Sequence, residues 1–263
     1  MGKLMIIRRI REHAANSNWF AVGIDLVIAI LGVFIGIQIS NWNEDRSRLA
    51  QSHEDRQRLI ADLRQNEADY LNRQQYYRAV QNHASAALKA LDYQVNNNAE
   101  AFLIDAYQAT QIAPRETKRV TYDEILSTGR LTRLGDPLLR DRVGNFYNAI
   151  DTYGRVMAYV PPFREQLRRA MPGAIQVAIR ARCPEHYIFL PDGTSLSTLA
   201  ERCTLELQQP SISQGVRAVR AVPDLVGGLN RVIGDANTKL EISSIGLRDI
   251  RTLRAHLVRA DGR

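Results

Sequence analysis

The architecture turns on WFAVGIDLVIAILGVFIGIQIS, Trp19 to Ser40, 22 residues in which Asp25 is the only ionisable group. About 20 apolar residues, rising 1.5 Å each in a helix, cross a hydrocarbon core of about 30 Å. Trp19 and Phe20 stand at one end and Trp42 just beyond the other, where amphipathic rings sit at a lipid–water boundary. We read residues 19–41 as a transmembrane helix. A buried core helix is a second reading. A cleaved signal peptide is a third, but its apolar region is shorter and ends in small residues, unlike Ile39-Ser40-Asn41-Trp42.

The span is not apolar on every side. Asp25, Ala29, Gly32, Gly36 and Ser40 recur at steps of four, three, four and four, which sets them on one helical stripe. Gly32 and Gly36 form a GxxxG pair. Such spacing lets two helix backbones approach closely in lipid, where packing must supply the association energy. A carboxylate on that stripe is costly in lipid unless paired, protonated or able to reach the interface. The stripe therefore reads as a helix–helix interface, with an ordinary lipid-facing anchor as the plainer alternative.

Residues 1–18 form a basic juxtamembrane segment with Arg8, Arg9 and Arg11 as interface anchors. Lys3, Arg8, Arg9 and Arg11 precede the span, and Arg46, Arg48, Arg56 and Arg58 follow it. The counts tie. The first set crowds closer to the span, and the second is interleaved with Glu44, Asp45, Glu54 and Asp55. Positive charge favours the cytoplasmic side, so the N-terminus is expected inside and the C-terminal domain in the periplasm of a bacterial inner membrane.

The whole chain has 263 residues, 45% apolar and 24% charged, a globular balance that excludes disorder throughout. The net charge is +7, carried by 35 basic residues of which 31 are arginine. Arginines alternate with acids, as in Arg164-Glu165-x-x-Arg168-Arg169, the pattern of a solvated helix face rather than a nucleic-acid patch. No nucleic-acid partner is expected. Cys183 and Cys203 are the only cysteines. A bond between them closes a loop of about 20 residues and adds ~3 kcal/mol where geometry allows, and it persists only in an oxidising compartment. Two unpaired thiols are the alternative. A metal site of Cys183, His186 and Cys203 lacks a fourth ligand.

From Asn43 to Val95 there is neither proline nor glycine, and Leu49, Leu63, Tyr70, Tyr77, Ala84 and Leu91 fall at multiples of seven. Residues 42–95 are thus expected as one long helix, exposed where it is most charged and packed later. Residues 96–263 should complete a bundle. Helices are expected over Ala99–Thr110, over Tyr122–Thr128 behind a Thr121-x-x-Glu124 capping box with Gly129 after it, and from Asp136-Pro137 to about Tyr159. Others follow Pro161-Pro162, Ser211 and Pro223-Asp224, and Pro172-Gly173 kinks or interrupts one. Residues 183–203 read as a loop excursion with a short hairpin and a short helix after Ser195. The expected class is mainly α: one N-terminal transmembrane helix continuing into an extramembrane helical bundle.

Catalytic signatures are absent: no GxGxxG, Walker loop, HExxH, CxxC or GxSxG. His13, His53, His83, His186 and His256 never pair at i, i+4. No cofactor, metal or enzymatic activity is expected. Tyr70 with Tyr77, and Tyr147 with Tyr153, mark faces that pack a core or line a small-molecule site whose ligand is unknown.

The run from Asn18 to Arg46, closing on Gln38, Asn41, Trp42, Asn43 and Glu44, resembles a bacterial family of single-pass membrane proteins of unknown function. The stretch TYDEILSTGRLTRLGDPLLRDRVGNFY, Thr121 to Tyr147, is similar to a second block of that family. The resemblance implies an inner-membrane anchor with a helical extramembrane domain and brings no activity or catalytic residue. The expected partners are the lipid bilayer and a second copy or another membrane helix. The function expected is an interaction or scaffolding subunit, the alternative a periplasmic ligand-sensing bundle that signals through a partner protein. Only 18 residues precede the span, too few for an output domain of its own.

Overall fold

The computed structural model describes residues 19–92, 98–200 and 203–261, with the backbone alone for 19–22. The basic residues Arg8, Arg9 and Arg11 lie outside the described residues. The fold is mainly α-helical. Helix α1 runs Trp19–Asp92, followed by α2 (Ala99–Gln108), α3 (Val120–Ser127), α4 (Pro137–Ala158), α5 (Pro162–Ala170) and α6 (Gly173–Arg182). A hairpin of β1 (His186–Phe189) and β2 (Ser195–Thr198) precedes α7 (Gln209–Arg220) and α8 (Leu225–Asp261). The chain divides into two compact units, residues 1–53 and 54–263.

In the first unit α1 is long and apolar enough to cross a membrane, and every described side chain from residue 23 to 51 is exposed. In the second unit the helix boundaries follow from local chemistry. Asp136 caps α4 by accepting the Leu139 amide at 2.8 Å, and Pro137 supplies a first residue with no amide hydrogen to satisfy. Asn98 caps α2 through the Ala101 amide. Gly129 leaves α3 in the left-handed region at φ +69°, its amide donating to the Leu126 carbonyl.

The capping box expected at Thr121 and Glu124 does not form. The α3 N-terminus carries no side-chain cap. Instead the Thr121 amide donates to Asp62 on α1 at 3.2 Å, and Glu124 is drawn to Arg58 and Arg130. Tertiary acids and bases outcompete the local exchange. The helix expected after Ser195 is instead strand β2, with His186 opposite Thr198 and Phe189 opposite Ser195. Asn72 of α1 explains the difference. Its carboxamide accepts from the Ser197 amide at 2.9 Å and donates to the Ser197 carbonyl at 3.0 Å, as a neighbouring strand would.

Helix α8 returns antiparallel along α1. Asp261 meets Arg56, Arg251 and Arg254 meet Glu67, Ser244 meets Gln74, and Asn237 meets Gln81. Each step down α1 is matched by an equal step back along α8. Helix α4 packs against α8 as well. In place of a fourth long rod, the chain uses the shorter α2, α5, α6 and α7, because Pro162, Pro172 and Pro210 each restart a helix.

Two apolar clusters fill the unit. One gathers Leu59, Leu63 and Tyr70 of α1 with Tyr122, Ile125, Phe146, Tyr147, Ile250 and Leu257. The other gathers Tyr76, Tyr77, Val80 and Ala84 of α1 with Phe102, Leu103, Phe163, Leu167, Ile175, Val219 and Leu229. Close helix approach rests on glycines. A Cβ on Gly246 would overlap the Tyr70 ring, and one on Gly228 would overlap Phe163.

Candidate functional site

The polar stripe of the apolar segment is present as a surface. Asp25, Ala29, Gly32, Gly36 and Ser40 all lie on α1 and are all exposed. A Cβ built on Gly32 or Gly36 meets nothing within 4 Å among the described residues. The neighbouring side chains are uncovered too, with Ile28 60% and Phe34 58% exposed. Trp19 opens the helix, and Trp42 is 66% exposed. Among the described residues this apolar stretch of α1 has no buried face.

Cys183 and Cys203 are joined by a disulfide, with 5.7 Å between their α-carbons. The bond closes the excursion that carries the hairpin. Cys183 is buried at the end of α6, and its carbonyl accepts from Gln108 of α2 at 3.1 Å. His186 is exposed on β1, apart from the bridged sulfurs in role, and no metal-binding cluster exists among the described residues.

The tyrosine faces resolve differently. Tyr70, Tyr77 and Tyr147 are buried core residues, and Tyr147 stacks on Tyr122 with ring centroids 4.1 Å apart. Tyr153 donates to Asp249 at 3.0 Å, and burial with that carboxylate pushes its hydroxyl up to about 12. Of the histidines, His83 is buried against Asp105 at 2.7 Å, and His256 sits against Arg142 and Arg259. Burial and the two guanidinium groups hold the His256 imidazole below its usual range.

A polar seam on α1 went unread in the sequence. Asp55, Asp62 and Asp69 recur every seven residues, and all three are buried. Each meets a base from elsewhere: Asp55 pairs with Arg130 at 2.8 Å, Asp62 lies 3.6 Å from Lys118, and Asp69 holds Arg73 at 2.6 Å and Arg115 at 3.0 Å. Burial raises the Asp55 carboxyl despite Arg130 beside it. The heptad of acids was the available signal. It hid beneath the apolar heptad because charged positions read as solvent-facing unless their partners, 46 to 75 residues away for Arg115, Lys118 and Arg130, are known.

At Asp69 the seam opens on a cavity of about 360 Å³, lined by Gln65, Asn66, Asp69, Arg115, Lys118 and the hairpin turn around Thr194. The hairpin is strapped over it. Gln65 donates to the Asp192 carbonyl at 3.0 Å, Arg115 donates to the Ser195 carbonyl at 2.8 Å, and Asn72 grips Ser197.

A second buried base is Lys239 of α8, 4% exposed. Its Nζ donates to the Tyr159 carbonyl at 3.1 Å, just past the end of α4, and lies 4.8 Å from the Tyr77 ring centre. Burial pushes its amine down to about 8, against a weak upward pull from Asp235. The carbonyl and the ring together are what a buried ammonium requires, so the residue is accounted for as a structural tie. Among known protein families, curated proteins and solved structures, none matches this chain.

Proposed function

We propose that the protein is a single-span membrane anchor bearing a disulfide-stapled helical domain, and that it works as an interaction subunit. The observation that carries this reading is the apolar stretch of α1. Its hydrophobic side chains from residue 23 to 40 are exposed, and Gly32 and Gly36 have no neighbour beside them among the described residues. Water is a poor solvent for such a surface, lipid a good one, and a second helix a better one along the small-residue stripe. The Cys183–Cys203 bond supports placing the domain on the oxidising side, the periplasm in a bacterial cell. The resemblance of residues 18–46 to bacterial single-pass proteins points the same way.

A periplasm-dependent reporter fused after Arg263 tests the topology, and an Ala29→Cys variant tests association by oxidative crosslinking in membranes. The expected result is an active reporter with a crosslinked dimer that Gly36→Leu weakens. An inactive reporter together with an uncrosslinked chain would sink the reading.

A further inference from the structure

A groove of about 280 Å³ runs between α4 and α8. Its lining repeats one spacing on both helices: Arg142, Phe146 and Ala149 on α4, and Asp249, Leu253 and His256 on α8. Steps of four and three put each set on one helical face. The helices run antiparallel, so Arg142 meets His256 at one end while Tyr153 reaches Asp249 at the other. Phe146 and Leu253 are buried and form an apolar floor between the ends.

The two ends carry opposite charges that the chain leaves without counter-ions. Asp249 is half-buried, and its Oδ2 takes the neutral Tyr153 hydroxyl at 3.0 Å. No base pairs with it among the described residues, and its Oδ1 is not a buried atom. Arg248 beside it is exposed. Arg142 is also half-buried and sets Nη1 against the His256 imidazole at 2.6 Å rather than against a carboxylate. Its Nε and Nη2 have no partner among the described residues and are not buried either, so both are open to an occupant. Burial and the guanidinium groups of Arg142 and Arg259 keep His256 a neutral acceptor. Asp136, the acid nearest this end, is committed to the Leu139 amide. Other half-buried acids of the domain are satisfied from within: Glu67 has Arg251 and Arg254, and Asp261 has Arg56. A charge partly withdrawn from water with no opposite charge beside it favours an occupant that brings one.

The distance between the ends sets the size of that occupant. Asp249 and His256 are seven residues apart on α8, a rise of about 10 Å. With a charged hydrogen bond of about 2.8 Å at each end, the occupant's own charges lie roughly 5–7 Å apart. A free amino acid is too short, whereas two extended residues reach about 7 Å. We infer that the α4–α8 groove binds a short zwitterionic peptide of dipeptide length, its terminal carboxylate on Arg142 and its terminal ammonium on Asp249. An apolar side chain of the peptide rests on Phe146 and Leu253. Asn145 and Thr252, exposed at the rim, flank its peptide bond. The site goes beyond the anchoring role and stands without it, since every group involved belongs to α4 and α8.

Calorimetric titration of the full chain in detergent with the dipeptide Ala-Leu tests this, beside N-acetyl-Ala-Leu, Ala-Leu amide and free leucine. Saturable binding of Ala-Leu is expected, weakened about fivefold or more by either cap and by shortening to leucine. Asp249→Asn should cost Ala-Leu a similar factor and abolish its advantage over the acetylated form. Arg142→Gln should abolish its advantage over the amide. A general loss of structure would not match each variant to one cap, and the capped probes on the wild type decide the matter if a variant misfolds. Arg169→Gln, on an exposed face, should change nothing. No saturation by Ala-Leu up to about 50 mM, or wild-type affinity for any of the other three probes equal to that for Ala-Leu, would overturn the site.

Discussion

Two stretches of the same helix obey opposite rules. Between residues 23 and 40 α1 is apolar but for Asp25, Gln38 and Ser40, exposed on every side, and carries glycines with no described side chain beside them. Between Leu59 and Ala87 it is richer in polar residues yet largely buried, with Asp62, Asp69 and Arg73 in its interior face. Hydrophobicity alone would assign the first stretch to the core and the second to the surface. Burial follows instead from what each stretch finds to pack against. The second finds α3, α4 and α8, with a base for each buried acid. The first finds nothing to pack against among the described residues of its own unit. A glycine in the bundle, such as Gly246 under Tyr70, marks a close contact, whereas Gly32 has no described side chain beside it.

The sharpest break of this contrast is a pair of charge removals. Arg73→Met strips a fully buried base from Asp69 and should cost ~3–5 kcal/mol in urea unfolding of the domain. Asp25→Asn should leave that transition where it is and act only on association in the membrane. Equal losses from both would erase the distinction. Next in size is the disulfide. Cys183→Ser should lower stability by ~3 kcal/mol, the value for a loop of this length, with dithiothreitol reproducing the loss in the wild type.

The glycines give a smaller and more direct comparison. Gly228→Ala forces a Cβ into Phe163 and should cost ~1–3 kcal/mol, while Gly36→Ala should leave the domain's Tm unmoved and shift the monomer–dimer ratio. The smallest effect is a pH slope. Lys239 titrates near 8 in the folded chain, below its ordinary value near 10.5, so the unfolded chain holds the extra proton between those values. Stability therefore rises as pH climbs from about 8 toward 10.5. Lys239→Met should abolish that rise. A difference between the two urea midpoints that stays constant over the interval would show that the amine is not desolvated.

Much of this was legible from residue types alone. The apolar run, the proline-marked helix starts and the Asp136-Pro137 cap need only local chemistry, and they appear where local chemistry puts them. The Thr121–Glu124 capping box failed because Asp62, Arg58 and Arg130 compete for the same groups from distant segments. The strand at Ser195 was missed because, besides pairing with β1, it is held by a side chain, Asn72, 125 residues away. The stripe from Asp25 to Ser40 was readable throughout because a helix face needs nothing beyond spacing.

The return of α8 along the whole buried length of α1 has a consequence in time. Leu229 completes one apolar cluster and Leu257 the other, and Asp261 reaches back to Arg56. Neither cluster can close until this last helix has left the ribosome. Helices form within microseconds, but contacts some 200 residues apart must wait for the intervening chain. The domain therefore closes only once α8 has been made. Until then the newly made chain exposes the apolar faces of α1, α4 and α5, and a premature stop before Leu225 would leave both clusters open at once.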